Sequence, residues 1–129
     1  MQARLIGMLL VGLGAAVGAN LRYLIGQAVA ARWGSGFPYG TLIINVVGSF
    51  GIGLFFAFIE PRVAGSSAWR LLIVTGLLGG FTTFSAFSYE AFGLIQQGRM
   101  LAALLYCGLS VVGGLLATAA AIWFVRMAG

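Results

Sequence analysis

The chain lacks histidine, lysine and aspartate, and it carries one cysteine, two prolines and two acidic residues. Without histidine there is no Ser-His-Asp or Cys-His arrangement for nucleophilic catalysis and no histidine-containing metal cluster. The single Cys107 cannot form a disulfide within the chain. We therefore expect that the protein is not an enzyme, and that backbone, hydroxyl, amide and aromatic groups carry its function together with a few arginines.

Apolar residues dominate the composition, at 61% of 129 residues, with a mean hydropathy of +1.08. These values lie outside the range of soluble domains. The net charge of +5 comes from arginines that mostly flank apolar runs, so we interpret them as anchors at the bilayer interface and expect no nucleic-acid partner. The composition predicts an all-α protein whose partner is the lipid bilayer.

Four stretches are long enough to cross a bilayer, which takes about 20 apolar residues. They cover about 5–31, 39–59, 69–96 and 101–125, so we predict one multi-pass domain over 1–129. Pro38 and Pro61 mark turns, since proline disfavours helix at the residue before it. A bundle of four helices leaves little room for a solute path, and we expect an oligomer with Gly14/Gly18 and Gly76/Gly80 as contact faces.

The arginines specify orientation poorly. Four lie at one end of the predicted bundle: Arg4, Arg62, Arg70 and Arg126. Arg32 and Arg99 lie at the other end, and Arg22 falls inside the first span near it. Such a weak bias is compatible with a single topology and equally with insertion both ways round, which would give an antiparallel dimer.

Two charges fall inside spans, Arg22 in the first and Glu90 in the third. A charge at that depth is expensive, so each is a candidate functional residue. Glu90 either pairs with an arginine or caps a pathway. The sequence leaves both interpretations open.

Polar residues follow one another at a spacing of four on two spans, which places them on one helix face. The second span carries Thr41, Asn45 and Ser49, and the fourth carries Tyr106, Ser110, Gly114 and Thr118. Such residues often only join helices by hydrogen bonds. Two parallel tracks favour a lined pathway, with Asn45 the best single candidate because its amide donors need partners in a dry place.

The third span contains Gly79-Gly80-Phe81-Thr82-Thr83, which is poor material for a helix. We predict a break at Gly79 to Thr83 near the bilayer midplane, where irregular backbone often binds ions; a continuous helix with packed glycines is the alternative. Beyond it, Phe84 and Phe87 follow Phe81 at intervals of three, and Ser85 follows Thr82. Hydroxyl donors beside the positive edges of aromatic rings attract a small anion.

These segments resemble the small bacterial fluoride channels of the Fluc (CrcB) family over essentially the whole chain. The resemblance rests on segments 18–23, 38–45 and 76–88, together with Tyr106 and Ser110. It implies an antiparallel, dual-topology homodimer with two pores in the bacterial inner (plasma) membrane. Cytoplasmic fluoride would leave passively through the pores, which would confer fluoride resistance.

The resemblance also implies roles for particular residues. Fluoride would contact the ring edges of Phe84 and Phe87, with Asn45 orienting or donating nearby. Ser110, with Thr118 and Tyr106, would line the polar track on the fourth span. The spacing of polar residues adds Thr41 and Ser85 as further pore candidates. Backbone carbonyls of Gly79 and Thr82 would hold a structural sodium ion at the dimer centre, Arg22 would lie at the vestibule, and Glu90 matches a family acid.

One residue departs from the pattern, because Gly114 stands where some relatives carry a hydroxyl. The runner-up function is a four-span, dual-topology, proton-coupled exporter of small cations, which needs an acid facing a central cavity. A non-transporting assembly subunit is the third possibility, in which the polar tracks only join helices.

Overall fold

The computed structural model describes residues 1–63 and 66–129. They form four long helices: α1 (Gln2–Trp33), α2 (Tyr39–Arg62), α3 (Ser67–Gln96) and α4 (Met100–Ala128). Each is long and apolar enough to cross a membrane, and no strand occurs in the described ranges. Each predicted span lies within one of these helices. The prediction of an all-α membrane protein with four spans is confirmed.

Two loops meet at one end of the bundle. α1 stops at Gly34, whose φ of 75° is a left-handed conformation that glycine adopts freely. The short turn between α3 and α4 uses Gly98 in the same way, with a φ of 73°. The Arg99 guanidinium in this turn donates to the Gly36 carbonyl, so it ties the α1–α2 loop to the α3–α4 turn.

Glycines hold α1 against the first half of α3. Gly14 and Gly18 are buried, and a Cβ on either would overlap a backbone carbonyl of α3. On the facing side, a Cβ at Gly76 would lie 2.8 Å from the Val11 carbonyl, and one at Gly80 would lie 2.7 Å from the carbonyl of Ala15. The expectation that these glycines join subunits is therefore wrong, because they already pack against each other within one chain.

The other long contact runs between α2 and α4. A Cβ at Gly53 would lie 2.7 Å from the Thr118 carbonyl, so the two backbones approach closely there. Ala121 and Phe55 are buried beside this contact, at 0% and 1% exposure. Towards the Arg99 end, a second buried cluster joins α3 to α4: Ala91, Leu94, Ala103 and Tyr106.

The backbone of α3 leaves helical geometry at two residues. Wide π-helical turns over Arg70–Leu78 give way to α-helical Gly79–Phe81, and α-helix is present again over Phe84–Gln96. Between them Thr82 (φ −83°, ψ 160°) and Thr83 (φ −152°, ψ 122°) are extended. We call this pair the link. Both residues lie within the stretch Gly79 to Thr83, where the sequence predicts a break.

Candidate functional site

A groove of about 380 Å³ lies where α2, α3 and α4 meet. It collects six of the residues predicted for the fluoride pore or the sodium site: Asn45, Gly79, Thr82, Phe84, Phe87 and Ser110. Ser49 and Thr83 line it as well. A hydroxyl, an amide and two aromatic rings from three helices thus face one space.

Ser110 on α4 supplies the most unusual group in the groove. Its Oγ atom is inaccessible to solvent and has no hydrogen-bond partner among the described residues. A buried hydroxyl without a partner loses about 1–3 kcal/mol of hydration. The groove therefore contains an uncommitted O–H donor.

The two aromatic side chains of the groove differ in their surroundings. The ring centroids of Phe84 and Phe87 are 5.6 Å apart, with the planes inclined at 44°. Phe87 also packs on Tyr106, at a centroid distance of 5.2 Å, and joins the buried α3–α4 cluster. Phe84 is 79% exposed. One ring is thus held inside the bundle, while the other stands open at the edge of the groove.

Asn45 on α2 makes two hydrogen bonds to one residue of the link. Its Nδ2 donates to the Thr83 carbonyl at 3.0 Å, and its Oδ1 accepts from the Thr83 N–H at 2.9 Å. The side-chain amide therefore pairs with the backbone of Thr83 through both ends. One N–H of Nδ2 remains beyond this pairing.

Glu90 lies in a separate cluster from the groove. Its two carboxylate oxygens accept from the hydroxyls of Thr41 and Tyr106, each at 2.8 Å. The ion pair that the structure describes joins the other acid, Glu60, to Arg70 at 2.8 Å. The hydroxyl protons of two predicted pore residues are thus directed at Glu90 rather than into the groove.

Arg22 reaches across from α1 to α3. Its Nε donates to the Gly80 carbonyl at 3.1 Å, just before the link. It also lines a second cavity of about 490 Å³, which it shares with Thr41, Thr83 and Glu90. Arg22 and Glu90, the two charged residues inside spans, therefore line one cavity, and Ser110 lines the other.

The remaining predicted residues lie outside the groove. The Thr118 hydroxyl donates to the Ser49 carbonyl at 2.8 Å, which joins α4 to α2. Ser85 is exposed, with its Oγ 3.4 Å from the Thr83 hydroxyl. At Gly114, the Ser49 hydroxyl lies 3.2 Å from where a Cβ would stand, so α2 supplies a hydroxyl at the position where α4 lacks one.

Two groups that hold the site together were not predicted from the sequence. Thr83 was considered only as part of a weak helix, yet it caps the following helix, since its Oγ1 accepts from the Ala86 N–H at 3.2 Å. Threonine before a helix is a common N-cap and was a usable signal. The Gly80 carbonyl as the partner of Arg22 had no such signal, because the pairing spans 58 residues of sequence.

The helices and the groove together define a multi-pass membrane protein with an aromatic and hydroxyl-lined site between its helices. The model of the CrcB-like protein, Camphor Resistance (CrcB) family matches residues 9–122. The chain belongs to that family.

Similar proteins are found in several bacteria. One from Chloroflexus aurantiacus is 52% identical over 122 residues, covering 95% of this chain and 97% of the relative. Others come from Roseiflexus sp., at 50% identity with 84% and 90% covered, and from Aquifex aeolicus, at 47% with 80% and 84% covered. All three relatives are named fluoride-specific ion channel FluC.

Proposed function

We propose that this chain forms a fluoride-selective channel through which cytoplasmic fluoride leaves the cell passively. The observation that carries the proposal is the buried, unpartnered Ser110 hydroxyl in the groove that Phe84 and Phe87 also line. The names of the relatives from three bacteria support the same anion.

The groove has the chemistry that a small, strongly hydrated anion requires. A pore must replace the water of fluoride with close donors, and an O–H, an amide N–H and ring edges do so without a fixed positive charge that would trap the ion. A narrow constriction whose donors meet only the smaller ion would exclude chloride. The inside-negative potential drives an anion outward by about 2.3 kcal/mol per 100 mV, so export needs no other energy source.

Efflux from vesicles tests this function. Purified protein is reconstituted into liposomes loaded with potassium fluoride. Valinomycin is then added so that potassium can leave and compensate the charge of the fluoride that is released. We expect rapid fluoride release and little chloride release from matched potassium chloride vesicles. Absence of fluoride release would overturn the channel. The exporter alternative has no support in the relatives' names, and proton-coupled cation uptake in the same vesicles would be its signature.

We further propose an antiparallel, dual-topology homodimer with two pores and with the link near the bilayer midplane. The link lies near the middle of Ser67–Gln96, which supports that depth. Phe84 is 79% exposed beside the open groove, so a second copy would be needed to enclose the site. The weak arginine bias at the two ends supports insertion in both directions.

Labelling of a single thiol tests the topology. In a Cys107→Ser background, Gln97→Cys and Ala128→Cys place an exposed thiol at opposite ends of the bundle. Dual topology predicts that an impermeant maleimide modifies about half of the copies of each variant in intact cells. Full labelling of one variant and none of the other would show a single orientation.

A structural sodium ion at the dimer centre is part of the proposal. Thr83 N–H donates to Asn45, and Ala86 N–H donates to the Thr83 hydroxyl. These are the donors that a continuous α-helix would aim at the carbonyls of Gly79 and Thr82, so both carbonyls are left for another partner. Carbonyl oxygens suit a hard cation, which would supply fixed positive charge. We expect sodium chloride, but not choline chloride, to raise the melting temperature of the protein.

A further inference from the structure

The link has backbone groups that a helix cannot satisfy. Each unsatisfied backbone group costs several kcal/mol in the hydrocarbon region of a membrane. Asn45 satisfies one of these groups, because its Oδ1 accepts from the Thr83 N–H at 2.9 Å, and its Nδ2 also donates to the Thr83 carbonyl at 3.0 Å. A side-chain amide that pairs with both groups of one peptide residue fixes its position and its direction.

The surroundings restrain the link from both sides. One helical turn beyond Asn45, a Cβ at Gly48 would overlap the methyl group of Thr82, so α2 lies directly against the link. From the other side Arg22 of α1 holds the Gly80 carbonyl. The backbone between Gly80 and Thr83 is therefore anchored to two neighbouring helices.

The anchored residue directs the aromatic rings. Thr83 directly precedes Phe84 and caps the helix that carries both Phe84 and Phe87. A shift of Thr83 would therefore move the start of that helix and the rings with it. We propose that Asn45 is a positioning residue of the fluoride pathway, which sets the rings of Phe84 and Phe87 by holding the Thr83 backbone. This inference rests on the proposed fluoride function.

A backbone substitution separates positioning from direct contact with the ion. Incorporating the α-hydroxy analogue of threonine at position 83 replaces the N–H with an oxygen and leaves every side chain in place. We expect fluoride efflux to fall about tenfold, the factor that corresponds to one lost hydrogen bond. The same replacement at Phe92, inside the helix and away from the groove, is the matched control and should conduct like the parent chain. Parent-level efflux from the position-83 ester would overturn the proposal.

Hydrogen exchange gives a readout independent of conduction. In Asn45→Ala, the Thr83 amide should exchange at least about tenfold faster than in the parent, because its acceptor is gone. In Phe84→Ile, which leaves Asn45 intact, it should exchange at the parent rate. Unchanged exchange of the Thr83 amide in Asn45→Ala would overturn the proposed hold of Asn45 on the Thr83 backbone, even if the ester chain failed to fold. Failure of the fluoride function would instead appear as absent efflux from the parent chain, with Thr83 still protected.

Discussion

The two halves of α3 share one apolar stretch but have different surroundings. Before the link, Gly76 and Phe81 are buried, and backbone meets backbone against α1. After the link, Phe84, Tyr89 and Phe92 are 79%, 82% and 58% exposed. The first half is committed to packing within the chain. The second half presents aromatic and hydroxyl groups that one chain leaves uncovered, and it carries both phenylalanines that line the groove.

Two hydroxyl groups on α4 also differ in their surroundings. Thr118 donates to the Ser49 carbonyl and thereby joins two helices. Ser110, two helical turns before it, has a buried hydroxyl without a described partner. Residues on one helix face thus include both a structural hydroxyl and an available donor, and spacing in the sequence does not tell them apart.

The largest expected effect comes from the packed half of α3. In Gly14→Val the new side chain would overlap the Leu72 carbonyl, and forced overpacking of this kind costs about 1–3 kcal/mol or more. We expect loss of folded protein, measured as monodisperse yield and melting temperature in detergent. Gly12→Val is the matched control, since Gly12 has nothing within 4 Å of its Cβ position. Equal stability of the two variants would contradict the glycine contact.

The exposed half should respond in conduction rather than in folding. Phe84→Ile removes an aromatic edge, and aromatic contacts contribute up to about 1.5 kcal/mol each, so fluoride efflux should fall about tenfold. Stability should change little, because the side chain is 79% exposed in the chain. Phe92→Ile, also exposed but outside the groove, should conduct normally. Comparable efflux from both variants would remove the ring-edge argument.

Ser110→Ala tests the donor on α4. We expect efflux to fall about tenfold while stability stays level or rises, because an unpaired buried hydroxyl costs about 1–3 kcal/mol. The comparison variant is Ser88→Ala, whose hydroxyl bonds the Phe84 carbonyl of its own helix at 3.0 Å. A loss of stability without a loss of efflux in Ser110→Ala would show that the hydroxyl serves packing.

The smallest effect is expected at Thr118. Hydrogen bonds between membrane helices contribute about 0.6–1.7 kcal/mol, so Thr118→Val should lower the melting temperature slightly and leave fluoride efflux nearly unchanged. Thr118→Ser keeps the hydroxyl and should behave like the parent chain. If Thr118→Val abolished efflux, the residue would belong to the polar track after all, as the family resemblance implies.

Much of this architecture could be predicted from local features. Apolar length defined the four spans, and glycine followed by threonine located the weak stretch of α3. Asn45, Phe84, Phe87 and Ser110 were singled out by spacing, and the structure brings them to one groove. The hydrogen-bond partners of the polar side chains could not be predicted. Spacing placed Thr41 among the pore residues, and spacing with the family resemblance placed Tyr106 there, whereas the hydroxyls of both residues bond Glu90.

There is a physical reason why the helices could be predicted from the sequence and the hydrogen-bond partners could not. Burial in lipid depends on composition and periodicity along the chain, so helix number, depth and the candidate anion donors are properties of short segments. A hydrogen bond depends on where two distant groups meet. The pairing of Asn45 with Thr83, the hold of Arg22 on Gly80 and the lack of a partner at Ser110 therefore arise only when α1, α2 and α4 pack around the link.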